Sequence, residues 1–90
     1  MMYVRGVQST SPRTLYVGGL GATADAVNLK QAFGEFGEIA ELRLVRRSGT
    51  GECRGFGYIT YACENSAVRA LTALNGKTIN GWSLRVDFAR

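Results

Sequence analysis

Two aromatic rings, two residues apart and led by an arginine, stand in the run Arg54-Gly55-Phe56-Gly57-Tyr58-Ile59-Thr60-Tyr61. Strand alternation sends Phe56, Tyr58 and Thr60 to one face and Gly57, Ile59 and Tyr61 to the other. Flat rings at strand spacing, glycines that keep the backbone low and a cation beside them are what stacking of nucleobases on a sheet requires. Tyr16, in Leu15-Tyr16-Val17, supplies a third ring. Its apolar neighbours point into a core, so Tyr16 points outward with Phe56 and Tyr58.

Other residues around the rings can bind a nucleic acid. Arg54 precedes the first ring, where it can pair with a phosphate. Arg43, Thr60 and Arg85 share the outward face and can bond base edges or sugar hydroxyls, and Asp87 can accept from a base amino group. Arg46 and Arg47 lead into a loop and steer a polyanion electrostatically. Arg43, Arg46, Arg47 and Arg54 fall within twelve residues, opposed there only by Glu52. Nine of the eleven cations in the chain are arginines, whose planes fork onto phosphates and stack on bases.

The elements that must hold these residues follow from periodicity. Leu15–Val17 is a short strand stopped by Gly18-Gly19. Thr23 or Asp25 caps a helix whose apolar face is Leu29, Ala32, Phe33 and Phe36, ending at Gly37. Ile39, Leu42 and Leu44 form the inner side of a second strand, with Glu41, Arg43 and Val45 opposite. A loop around Ser48-Gly49-Thr50-Gly51 leads to the third strand, the octamer itself. A second helix spans about residues 64–74, striped by Ala67, Ala70, Leu71 and Leu74 and ended by Asn75-Gly76. Asn80-Gly81 is a two-residue hairpin signal. Leu84 and Val86 alternate with Arg85 and Asp87 in the last strand. The predicted fold class is α+β, a ferredoxin-like β-α-β-β-α-β sandwich: a four-stranded antiparallel sheet with two helices on one face. The other face is left open, with the first and third strands at its centre.

Size and charge agree. Ninety residues make one domain. The expected division is a flexible tail over residues 1–13 and one domain over 14–90. The net charge of +4 and pI near 9.5 favour a polyanionic partner. No apolar run approaches the ~20 residues that span a bilayer, and no secretory signal is visible. Cys53 and Cys63 sit at opposite ends of the third strand, roughly 25–30 Å apart at ~3.3 Å per residue, too far for a disulfide. Free thiols point to a reducing intracellular compartment, whether nucleus, cytoplasm or organelle. Two cysteines and no histidine leave no ordinary metal site, and no cofactor is expected.

With these residues in place, the chain resembles the RNA recognition motif family from about residue 14 to residue 89. The resemblance rests on the octamer Arg54–Tyr61 together with the hexamer Leu15-Tyr16-Val17-Gly18-Gly19-Leu20, and is supported by the Thr50-Gly51 turn and Leu74-Asn75-Gly76-Lys77. It looks most like the single-domain glycine-rich or cold-inducible RNA-binding proteins. It implies a module that stacks single-stranded RNA, or single-stranded DNA, on Tyr16, Phe56 and Tyr58, with Arg54 as the phosphate cation, in RNA processing, stability or translation. Two positions depart from the family pattern. Gly19 stands where Asn is usual, which removes a turn-stabilising side-chain bond. Trp82 stands where a basic residue is common, and as an exposed indole can stack a nucleotide, bind a protein partner or pack on the tail.

Rival readings are weaker. Gly19-Leu20-Gly21-Ala22-Thr23-Ala24, with Glu41 about twenty residues on, fits a dinucleotide fingerprint. That fold needs parallel strands joined by crossovers, which the short loop before the octamer does not provide. Gly76-Lys77-Thr78 lacks the earlier glycine of a phosphate loop. No histidine is present, and Asp25, Glu35, Glu38 and Glu41 form no convincing acid–base pair, so catalysis is not expected. The main alternative is a protein-interaction module of the same fold, using Trp82, the helices or a covered sheet.

Overall fold

The computed structural model describes residues 12–89. The tail expected over residues 1–13 therefore lies, up to residue 11, outside the described residues. The elements are β1 (Thr14–Gly18), α1 (Ala26–Phe33), a 3-10 turn (Gly34–Phe36), β2 (Ile39–Arg46), β3 (Cys53–Tyr61), α2 (Glu64–Leu74), β4 (Thr78–Ile79), β5 (Trp82–Ser83) and β6 (Arg85–Phe88). The main sheet has the order β2-β3-β1-β6, and β4 and β5 pair apart from it. All these pairings are antiparallel. This is the expected ferredoxin-like α+β fold, with β1 and β3 central. It offers none of the parallel crossovers of a dinucleotide fold.

Local chemistry explains the boundaries. Asp25, not Thr23, caps α1. Its Oδ1 accepts from the Asn28 N–H at 2.9 Å, and Asn28 Oδ1 accepts from the Asp25 N–H at 3.3 Å. The helix was expected to run to Gly37 but stops at Phe33. The buried Tyr61 hydroxyl donates to the Phe33 carbonyl at 2.6 Å, so that carbonyl does not need the next helical N–H. Gly37 bonds instead to the Gly34 carbonyl at 3.4 Å, the tighter 3-10 pattern.

The step from Ile39 to Leu42 would put the two on opposite faces of an ideal strand. A register shift between Ile39 and Glu41 restores them to one side. Helix α2 runs over the predicted span, and Arg69 Nη2 ties it to the Phe36 carbonyl at 2.6 Å. Asn75, just past its end, accepts from the Val86 N–H at 3.0 Å and locks the helix to β6.

The core lies between the helices and the inner face of the sheet. Leu15, Val17, Ile59, Tyr61 and Val86 meet Leu29, Phe33, Ala67, Ala70 and Leu74 there. Cys53 is buried and Cys63 exposed, and both are free thiols.

Two sequence expectations are revised. Gly19 has φ 82°, and a Cβ there would run into the Ser83 carbonyl oxygen. Glycine is thus demanded by the approach of the β5 backbone, and the position is no simple loss of an asparagine bond. Trp82 is half-buried against the core rather than exposed, and its indole Nε1 lies over Gly21, where a Cβ would clash.

Candidate nucleic-acid interface

Register assembles the open face from residues far apart in sequence. On β1 and β3, Thr14 faces Thr60, Tyr16 faces Tyr58, and Gly18 faces Phe56. On the outer strands, Asp87 lies beside Tyr16, Arg85 beside Gly18, Arg43 beside Tyr58, and Glu41 beside Thr60. The central row therefore reads Asp87, Tyr16, Tyr58, Arg43. All of these alternate with inward residues, against which both described helices pack.

The rings are mutually in contact. Tyr16 and Phe56 lie 5.9 Å apart, Tyr16 and Tyr58 6.0 Å, and Phe56 and Tyr58 6.2 Å between centroids. These separations fall within the range of favourable aromatic pairs. Each ring is partly exposed. Two glycines make the arrangement fit. A Cβ on Gly18 would stand 2.5 Å from the Tyr16 hydroxyl, so the phenol lies along its own strand over that residue. A Cβ on Gly57 would stand 2.6 Å from the Arg43 carbonyl, so glycine lets β2 close on β3.

The arginines form a second cluster. Between Leu44 and Arg46 the β2–β3 register shifts, and β3 holds the surplus around Gly55, whose φ of 104° suits glycine alone. Arg54 directly precedes this glycine and is exposed. It lines an open cleft of about 350 Å³ with Arg46, Arg47, Ser48 and Thr50. Arg46 Nη1 donates to the Gly51 carbonyl at 3.1 Å, which shapes the loop. Guanidinium groups converging on one cleft suit a phosphate.

All the residues singled out in the sequence lie on or beside this face. Tyr16, Phe56, Tyr58, Arg43, Thr60, Arg85 and Asp87 share the sheet surface, while Arg46, Arg47 and Arg54 gather at the loop end. The sequence reading missed Thr14, whose hydroxyl bonds that of Thr60 at 2.9 Å. Its position two residues before Tyr16 was the available signal. It also missed Ser48 and Thr50 as cleft-lining residues, which needed the loop's path. The Gly19–Ala24 segment holds no free cradle: the Leu20 N–H bonds the Gly55 carbonyl, the Ala24 N–H bonds the Gly21 carbonyl, and Asp25 fills the helix cap. Among the described residues no three His, Cys, Asp or Glu side chains gather to hold a metal, and no helix is long and apolar enough to cross a membrane.

Comparison with known proteins follows the same line. The family model described as the RNA recognition motif matches residues 15–85. Glycine-rich RNA-binding protein 4, mitochondrial, of Arabidopsis thaliana is 44% identical over 83% of this chain and 55% of its own length. The glycine-rich RNA-binding, abscisic acid-inducible protein of Zea mays is 36% identical over 83% of this chain and 48% of its own. The chain thus spans about half the length of these relatives. A solved Sxl-lethal protein/RNA complex superposes with a TM-score of 0.83 at 30% identity, covering 89% of this chain and 49% of that one. A family match across most of the sequence, on a sheet that carries both ring-bearing strands at its centre, leads to one conclusion: the chain belongs to the RNA recognition motif family.

Proposed function

We propose that this chain binds single-stranded RNA without catalysis, stacking bases on Tyr16 and Tyr58 with Phe56 beside them. The observation that carries the reading is the cluster of three partly exposed rings, 5.9–6.2 Å apart, on the two central strands. The names of the relatives, glycine-rich RNA-binding proteins, and the protein/RNA complex among the similar structures support it. Residues 14–90 form the binding module. Arg43, Thr60, Arg85 and Asp87 meet base edges and sugars, and Arg46, Arg47 and Arg54 hold phosphates. Single-stranded DNA binds by the same stacking, which ignores the sugar. The role is in RNA processing, stability or translation. The mitochondrial relative supports an organelle as the compartment.

The protein-interaction reading has less to stand on. Trp82 packs over Gly21, and Val27 and Val68, the exposed large apolar residues among the described residues, sit singly on separate helices. Scattered apolar residues of that kind are normal surface.

Titration of a mixed-sequence single-stranded RNA pool tests the proposal. Tyr16→Ala with Tyr58→Ala weakens binding by about 2–6 kcal/mol, from ~1–3 kcal/mol for each of the two stacked bases. Circular dichroism stays native, because both side chains lie outside the core. Unchanged affinity would overturn the reading.

A further inference from the structure

The central row of the open face is chemically polarised. Asp87 stands beside Tyr16 at one end, and Arg43 beside Tyr58 at the other. Adjacent strands are ~4.8 Å apart, so a base lying flat on Tyr16 extends its edge over β6. The residue of β6 it meets is Asp87, which is exposed. Asp87 Oδ1 accepts from the Phe88 N–H at 2.8 Å, which fixes the carboxylate's orientation. An ionised carboxylate has about four acceptor sites and no donor, so both oxygens can still accept.

Such a group discriminates among bases by their donors. Uracil presents one N–H flanked by two carbonyls that face the negative charge. Adenine and cytosine present an amino group beside an unprotonated ring nitrogen. Guanine alone presents two adjacent donors, its N1–H and N2 amino group, which match the two oxygens of a carboxylate. We propose that Asp87 selects guanine as the base stacked on Tyr16. This rests on the stacking reading above and goes beyond it by naming the base and the residue that reads it.

The test uses a uridine-rich oligoribonucleotide with one variable nucleoside: guanosine, inosine, adenosine, cytidine or uridine. Inosine keeps the ring N–H of guanosine and lacks its amino group. The wild-type chain is expected to bind the guanosine probe roughly tenfold or more tightly than the uridine probe, the scale of a good bidentate base contact. Inosine should lose most of that gain, and Asp87→Asn should bring the probes to within about twofold of one another, since an amide offers a donor as well as an acceptor. A guanosine preference that survives Asp87→Asn, or inosine binding as well as guanosine, overturns the proposal. The inosine comparison needs no variant and decides even if Asp87→Asn folds poorly. Tyr16→Ala separates the two readings. If it weakens every probe while the preference survives Asp87→Asn, stacking stands and Asp87 selection fails. If it changes no probe, both fail.

Discussion

Gly18 lies directly beneath the phenol of Tyr16, close enough that a Cβ there would come within 2.5 Å of the hydroxyl oxygen. The glycine thus sets the tilt of a ring two residues earlier on its own strand, and through it the 5.9 Å contact with Phe56. The obstructed atom is the far end of a mobile side chain, so Gly18→Ala can be absorbed by lifting the ring. The expected result is RNA affinity reduced by about 1 kcal/mol, a part of one stacking contact, with a near-native melting temperature. Parallel oligonucleotide titration and thermal unfolding of the variant check it.

Gly19→Asn gives the opposite pattern. It restores the residue usual in the family, yet this backbone has the Ser83 carbonyl where the new Cβ would go. Backbone, unlike a side-chain tip, cannot swing aside. The substitution should destabilise the fold by roughly 1–3 kcal/mol, measured by urea unfolding.

Tyr61 ties strand to helix. Its hydroxyl is buried and donates to the Phe33 carbonyl at 2.6 Å. Tyr61→Phe leaves that carbonyl without its donor and should cost about 1–3 kcal/mol. Burial also pushes the phenol's pKa well above its ordinary value. The folded state therefore keeps a proton that the unfolded chain releases above about pH 10. This contribution to stability is whole below that pH and is lost as pH rises further. Tyr61→Phe should start less stable at neutral pH and lose less between pH 9 and roughly 11. Denaturant melts across that window measure both effects.

Arg46 and Arg47 line the cleft shared with Arg54. Replacing both with Gln should weaken binding to all RNA sequences alike. The slope of log affinity against log salt should fall by roughly 0.7 for each phosphate that is no longer neutralised. A weakening confined to some sequences would assign these residues to base readout instead. The comparison is a salt titration on two unrelated oligonucleotides.

What the sequence revealed was set by local period. Alternation alone sorted Phe56, Tyr58 and Thr60 from Ile59 and Tyr61, and the stripe of Ala67, Ala70 and Leu74 bounded α2. The Asn80-Gly81 pair marked its hairpin, where Asn80 takes the φ of 53° that such a turn requires. What stayed hidden depends on distant chain. Helix α1 ends where Tyr61, on another strand, reaches its last carbonyl. Gly19 owes its identity to Ser83, and Trp82 is withdrawn onto Gly21. Bulges also escaped the reading. The shift after Ile39 and the one around Gly55 decide which side chains share a row, and the second lies next to Arg54, which lines the loop cleft. Residue types named the candidate face; register, which fixes Asp87 beside Tyr16 and Arg43 beside Tyr58, came only with the folded chain.

The stacking claim is tested most directly by nuclear magnetic resonance of the chain with a short single-stranded RNA. Base protons seated over Tyr16 and Tyr58 should move upfield through ring currents and show nuclear Overhauser contacts to the ring protons of Tyr16, Phe56 and Tyr58. Perturbations confined to the helices, with the three ring systems unmoved at saturation, would contradict the account.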